Sequence, residues 1–130
     1  MNASEIMTRP VLATTLGASV RDIATELLVN RITGMPVADR DGTVLGIITE
    51  ADILGALIEG RQLETLRAED IMSTDPVTVE SDATMADVMK VLDDEGVVRV
   101  PVTDRGVLVG IISRADVIRA ALQPEFLSFA

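Results

Sequence analysis

Two four-residue stretches gather the groups in this chain that can bind: Thr49-Glu50-Ala51-Asp52 and Ser113-Arg114-Ala115-Asp116. In each, a hydroxyl is followed three residues on by a carboxylate. That is the spacing of a helix N-cap with an acid in the first turn, where the helix dipole favours negative charge. The same hydroxyls, with the free N–H groups of a helix N-terminus, can also hold a phosphate. Spacing leaves both readings open. Cations separate the two stretches: Arg114 stands where the first has Glu50, and Arg99 stands where the first copy has Gly34. A first-turn cation opposes the dipole, so Arg114 gains meaning beside an anion, the alternative being an exposed ion pair. This is the chemistry of binding. There is no histidine, no cysteine, no P-loop and no GxGxxG, so the usual nucleophile–base pairs, zinc ligands and phosphate loops are missing. No enzyme, no metal and no required cofactor is expected.

The elements that must position these groups occur twice. IMTRPV at 6–11 recurs as IMSTDPV at 71–77, and MPVADRDGTVLGIITEADIL at 35–54 recurs as VPVTDRGVLVGIISRADVI at 100–118. In each copy an extended segment around a proline comes first. Ser19 or Thr84 then opens a helix, with Asp22 or Asp87 three residues on as in a capping box. Val20, Ile23, Ala24, Leu27 and Leu28 are expected to line the buried face, and Met85, Val88, Met89 and Leu92 their counterpart. A strand over 35–38 or 100–103, a polar turn ending at Gly42 or Gly106, and a second strand to Thr49 or Ser113 read as a β-hairpin. A helix over 50–59 or 114–122 closes the unit. The expected organisation is a first domain over 1–60, a polar linker over 61–70, a second domain over 71–122 and a loose tail over 123–130, unless Phe126 and Phe129 dock.

Composition bounds the partners. Of 130 residues, 48% are hydrophobic but only 2% aromatic, so aliphatic side chains and methionine must build the core. The formal net charge is −10, which argues against nucleic acid and against an anionic membrane surface. The apolar runs 44–48 and 107–112 are too short to span a bilayer. The start has no basic segment followed by an apolar one, so no secretory leader is expected and a cytoplasmic location is.

The order strand, helix, Pro-Val strand, turn and Gly-Ile-Ile-[Thr/Ser]-x-Ala-Asp resembles the CBS domain family, here as Met35-Pro36-Val37 with Gly46–Asp52 and as Val100-Pro101-Val102 with Gly110–Asp116. Two motifs in register identify the chain as resembling a tandem pair, often called a Bateman module. The resemblance implies an α/β (α+β) fold of two βαββα units packed sheet to sheet about a pseudo-twofold axis, a homodimer, and clefts for adenosine-containing ligands. It implies that Asp116 and Asp52 hold ribose hydroxyls, a task suited to a carboxylate that accepts two hydrogen bonds. It implies that Arg99, Ser113, Arg114 and Thr49 face phosphates. The adenine pocket of the Asp116 cleft would add Thr8, Val11, Ala13, Ile32 and Thr33, and that of the Asp52 cleft Ser73, Thr78, Val97 and Val98. The expected function is a stand-alone regulatory module that binds AMP, ADP or ATP and acts on a protein target. The alternatives are a ligand-free interaction module, suggested by Gly34 and Glu50 in copy one, and an S-adenosylmethionine sensor. With Arg99 and Arg114, the Asp116 cleft is the better expected phosphate site.

Overall fold

A computed structural model describes residues 1–124 and 126. In chain order its helices and strands are α1 (Ala3–Ile6), α2 (Val20–Asn30), β1 (Gly34–Ala38), β2 (Val44–Thr49), α3 (Glu50–Ile58), α4 (Ala68–Ile71), β3 (Val79–Glu80), α5 (Met85–Asp94), β4 (Arg99–Asp104), β5 (Val107–Ser113) and α6 (Arg114–Ala121). A 3₁₀ turn, Leu63–Thr65, lies between α3 and α4.

The chain resolves into two compact units that are cut differently from the repeats. A continuous unit runs from Leu12 to Pro76, and a discontinuous one joins Met1–Val11 to the chain from Val77 onward. Each copy's opening segment therefore belongs with the body of the other copy. In the discontinuous unit β3, α5, β4, β5 and α6 give the βαββα order, with β3 parallel to β4 and β4 antiparallel to β5. In the continuous unit the first strand is reduced to one parallel bridge, where Thr14 N–H donates to Pro36 O at 2.9 Å and Ala38 N–H to Thr14 O at 2.9 Å. The hairpins form in both copies, each with a register shift, at Val37/Ala38 and at Val102/Thr103. Gly42 and Gly106 take φ of 85° and 83°, the left-handed region their turns require.

Each unit has its own aliphatic core. Val20, Ile23 and Leu27 of α2 pack on Met35, Val37 and Ile48, and Met85, Val88 and Leu92 of α5 pack on Val100, Val102 and Ile112. Burying such a side chain fully is worth about 1.5–3 kcal/mol. Leu28, expected on the buried face, is instead 75% exposed. It follows Leu27 directly and so is turned about 100° off the stripe that Leu27 continues. The helix starts also differ from expectation. Thr84 accepts from Asp87 N–H at 3.1 Å, but Ser19 makes no side-chain cap bond. At Ser19 the first helical N–H, of Val20, donates to Leu66 O at 2.9 Å, so that orphan donor is already satisfied. The polar stretch 61–70 is partly core, since Leu66 and Ala68 are 5% and 0% exposed. Phe126 is half-buried against the core of the discontinuous unit, whereas Phe129 lies outside the described residues.

The exchanged opening segments dock by paired backbone hydrogen bonds. Thr8 N–H donates to Ile111 O at 2.8 Å and Ile111 N–H returns to Thr8 O at 3.1 Å. Ser73 N–H donates to Ile47 O at 2.9 Å and Ile47 N–H returns to Ser73 O at 3.1 Å. The residue before each isoleucine must be glycine for this approach. A Cβ on Gly46 would fall on the carbonyl oxygen of Ser73 and lie 2.9 Å from Met72 Sδ; one on Gly110 would strike the Met7 side chain, 2.7 Å from its Cγ. At Gly46 the obstacle is backbone, which cannot turn aside as a side chain can. Gly46→Ala is expected to cost about 1–3 kcal/mol, the range of overpacking. Gly55→Ala, whose added Cβ meets nothing within 4 Å in a helix, should be neutral or stabilising by about 0.5–1 kcal/mol. Urea unfolding of both variants checks this; equal midpoints would refute the close-approach role of Gly46.

Candidate functional site

Ser113 ends β5 in extended conformation, at φ −101° and ψ 166°, so that its side chain turns back over the first turn of α6. Asp116 N–H donates to Ser113 Oγ at 3.2 Å, and Ser113 N–H donates to Asp116 Oδ2 at 2.8 Å. The continuous unit repeats the arrangement. Asp52 N–H donates to Thr49 Oγ1 at 3.3 Å, while the Thr49 N–H and hydroxyl both donate to Asp52 Oδ2, at 2.9 and 3.0 Å. Both hydroxyl–carboxylate pairs are complete capping boxes. The cap role is thus realised in both copies, and it engages one carboxylate oxygen, Oδ2.

The other oxygen, Oδ1, differs between them. Arg119, one turn along α6, donates from Nη1 to Asp116 Oδ1 at 3.0 Å. The equivalent position in α3 is Gly55. Among the described residues no protein donor reaches Asp52 Oδ1. Asp116 also draws on the exchanged segment, with the Thr8 hydroxyl 3.5 Å from Oδ2. Ser73, the counterpart of Thr8, is held by its bridge to Ile47, two residues before Thr49.

The helix N-termini are less free than spacing suggests. Arg114 N–H donates to Val98 O at 3.0 Å and Glu50 N–H to Thr33 O at 2.9 Å. With the third helical amide capped, the second, of Ala115 or Ala51, is the one of the first three without a protein acceptor among the described residues.

Arg114 bonds to backbone in the described contacts. Arg114 Nε donates to Val97 O at 3.0 Å, and Arg114 lines a hollow of about 300 Å³ between α5 and α6 with Met89, Leu92, Asp93, Val117 and Ile118. Asp116 lines a different hollow of about 330 Å³, with Arg119, Glu5 and Gln123 among its walls. Both volumes are at the low end for ligand pockets, which run from about 300 to 1,000 Å³. Arg99 begins β4 opposite Ser113, as Gly34 begins β1 opposite Thr49. A Cβ on Gly34 would lie 3.0 Å from Ile48 O, so copy one has little room for the side chain that copy two carries.

Of the expected adenine-pocket residues, Thr8, Val11, Thr78, Val97 and Val98 belong to the unit of Asp116, and Ala13, Ile32, Thr33 and Ser73 to the unit of Asp52. Thr8, Ala13, Thr33, Ser73, Thr78 and Val98 are exposed; Val11, Ile32 and Val97 are half-buried. Val97 and Ile32 pack against the cores of their units. Arg119, Gly46 and Gly110 were not among the expected functional positions. The Asp-x-x-Arg spacing of helix neighbours carried a signal for Arg119. The two glycines open the repeated Gly-Ile-Ile motif, but their docking role is not readable from neighbouring residues.

Comparison with known proteins bears on what such a site binds. The CBS domain profile matches residues 3–59 and again 68–123. The chain is 35% identical over 131 residues to the chloroplastic CBS domain-containing protein CBSX1 of Arabidopsis thaliana, covering 78% of this chain and 56% of that protein. It spans 56% and 62% of two of the curated relatives it matches. Its fold is similar to the crystal structure of Arabidopsis CBSX2 in complex with AMP, at a TM-score of 0.83 and 29% identity over 94% of this chain and 96% of that one. It is also similar to the CBS domain pair of protein MJ0100 in complex with 5′-methylthioadenosine and S-adenosyl-L-methionine, at a TM-score of 0.82 and 27% identity over 92% and 94% of the two chains. The mixed α+β fold is that of a tandem CBS pair. Among the described residues no helix is long and apolar enough to cross a membrane.

The capping geometry makes a prediction of its own. Ser113→Ala should lower stability by about 1 kcal/mol with no ligand present, the usual cost of a lost N-cap. Ser19→Ala, which loses no cap bond, should change it by under about 0.5 kcal/mol. Thermal or urea unfolding of the two variants side by side tests this, and a loss of equal size in both would contradict it.

Proposed function

The chain belongs to the CBS domain family, and on that premise we propose that it is a regulatory module that binds adenosine-containing ligands rather than an enzyme. The observation that carries the reading is the pair of aspartates at the head of α3 and α6, each engaging only Oδ2 in its cap, so that Oδ1 meets no cap donor. A ribose diol offers two O–H donors to such an oxygen. The complexes of CBSX2 with AMP and of the MJ0100 pair with methylthioadenosine and S-adenosyl-L-methionine support the ligand class. Thr49 and Ser113, Arg99 and Arg114 are the proposed phosphate contacts, and Thr8, Val11, Ala13, Ile32, Thr33, Ser73, Thr78, Val97 and Val98 the proposed adenine surroundings. Regulation of a protein target then follows only if the ligand binds one shape of the module better than another. A cytoplasmic location stays part of the proposal, although two of the relatives are chloroplastic.

Titration with AMP, ADP, ATP and S-adenosyl-L-methionine, read as thermal melting, tests the class. A true ligand at 100 times its Kd adds about 2.7 kcal/mol of stability. Asp116→Ala combined with Asp52→Ala should remove the shift. No shift with any of these compounds would support the ligand-free interaction module instead.

We further propose a homodimer. Ile118 and Leu122 of α6 are 66% and 83% exposed, and their repeat equivalents Leu54 and Ile58 of α3 are 58% and 77% exposed. The same apolar stripe shown twice suits a two-fold interface, which pairs a patch with itself. Light scattering after size exclusion is expected to give twice the chain mass of 13.8 kDa, and Ile58→Glu with Leu122→Glu to give the single mass. A wild-type monomer at 100 μM would refute the dimer.

A further inference from the structure

We propose that Arg119 is an internal competitor for the ribose acceptor Asp116, so that the two aspartates are unequal ligand sites; this rests on the adenosine reading above. Both carboxylates hold Oδ2 in a capping box. They differ at Oδ1, the oxygen a ligand would address. In α6 the Arg119 guanidinium sits on it at 3.0 Å; in α3 the equivalent residue is Gly55, and Asp52 Oδ1 meets no protein donor among the described residues.

The ion pair is asymmetric in its surroundings. The Asp116 side chain is 11% exposed and that of Arg119 71% exposed. The acceptor is therefore held in place by its cap, while the cation reaches in from solvent on a flexible stem. Arg119 is also favoured where it stands, in the last turn of α6, because the dipole there attracts a cation. A ribose diol approaching Asp116 has to displace or share the guanidinium. At Asp52 it meets an open oxygen. An exposed ion pair is weak enough to be displaced, so Arg119 raises the ligand concentration needed without closing the site.

The sequence comparison of the two copies expects the Asp116 cleft to be the better phosphate site, because Arg99 and Arg114 accompany it, and says nothing of the ribose acceptor itself. Arg114 faces the hollow between α5 and α6, not the one lined by Asp116. The cation that touches Asp116 is Arg119, and what it contacts is the ribose acceptor. For a neutral adenosine-type ligand this favours the Asp52 half.

The test uses the full ¹⁵N-labelled chain titrated with adenosine, which carries no phosphate charge. The Ser113 amide, bonded to Asp116 Oδ2, reports one site, and the Thr49 amide, bonded to Asp52 Oδ2, the other. Arg119→Ala is expected to move the Ser113 midpoint to about two- to fivefold lower adenosine, the span of an exposed ion pair, and to leave the Thr49 midpoint in place. Gly55→Arg should raise the Thr49 midpoint by a similar factor. With 2′,3′-dideoxyadenosine, which lacks the hydroxyls, Arg119→Ala should change neither. The proposal is overturned if Arg119→Ala leaves or raises the Ser113 midpoint, or tightens the dideoxy compound equally. If neither amide responds to adenosine in any variant, the adenosine reading fails and this inference with it. Responses at both amides without the Arg119 effect sink this inference alone.

Discussion

A pair of backbone hydrogen bonds between Thr8 and Ile111, matched by a pair between Ser73 and Ile47, determines which residues can share a site. Each pair clamps the opening segment of one copy onto the second hairpin strand of the other. That strand leads directly into the capped helix, to Thr49 and Asp52 in one case and to Ser113 and Asp116 in the other. The clamp works only because Gly46 and Gly110 precede the isoleucines, leaving room for Ser73 O and for the Met7 side chain. The glycine that opens the Gly-Ile-Ile motif is therefore a docking residue, and the aspartate that closes it caps the helix that follows. The motif is one device rather than a set of independent positions.

The cap and the proposed ligand contact do not conflict, because a carboxylate has two oxygens. The cap holds Oδ2 against the backbone and restricts the side chain's rotation, while Oδ1 takes no part in the cap. A hydrogen-bonded acceptor that is already immobile loses little further freedom when a ligand arrives, which is the energetic value of preorganisation. Cap and ligand contact are thus not competing explanations of the Thr-x-x-Asp and Ser-x-x-Asp spacing. In the proposed site, the first supplies the geometry that the second requires.

Near the capped aspartates the copies differ at Gly34 against Arg99, Glu50 against Arg114 and Gly55 against Arg119, and the first strand is shortened at Thr14 against β3. The cores and the capping boxes at the heads of α3 and α6 are common to both copies, while these positions differ. The contrast between an open and a counter-ion-covered carboxylate is the clearest of these differences.

Much of this was legible from residues alone. Helix faces, hairpins, turn glycines and the capping pairs at Thr49 and Ser113 depend on neighbours within a few residues, and local chemistry specifies most of them. Leu28 was misplaced because a stripe drawn one residue too wide looks the same in a helical projection. Ser19 was misread because the donor it should have capped finds Leu66 O, a carbonyl from the stretch taken for a polar linker. The exchange of opening segments, the reason for Gly46 and Gly110, and the pairing of Arg119 with Asp116 in place of Arg114 were decided in three dimensions. Each depends on where a residue distant in sequence or a turn of helix comes to rest, and a pattern of residue types records what a group can bond to, not which partner reaches it first.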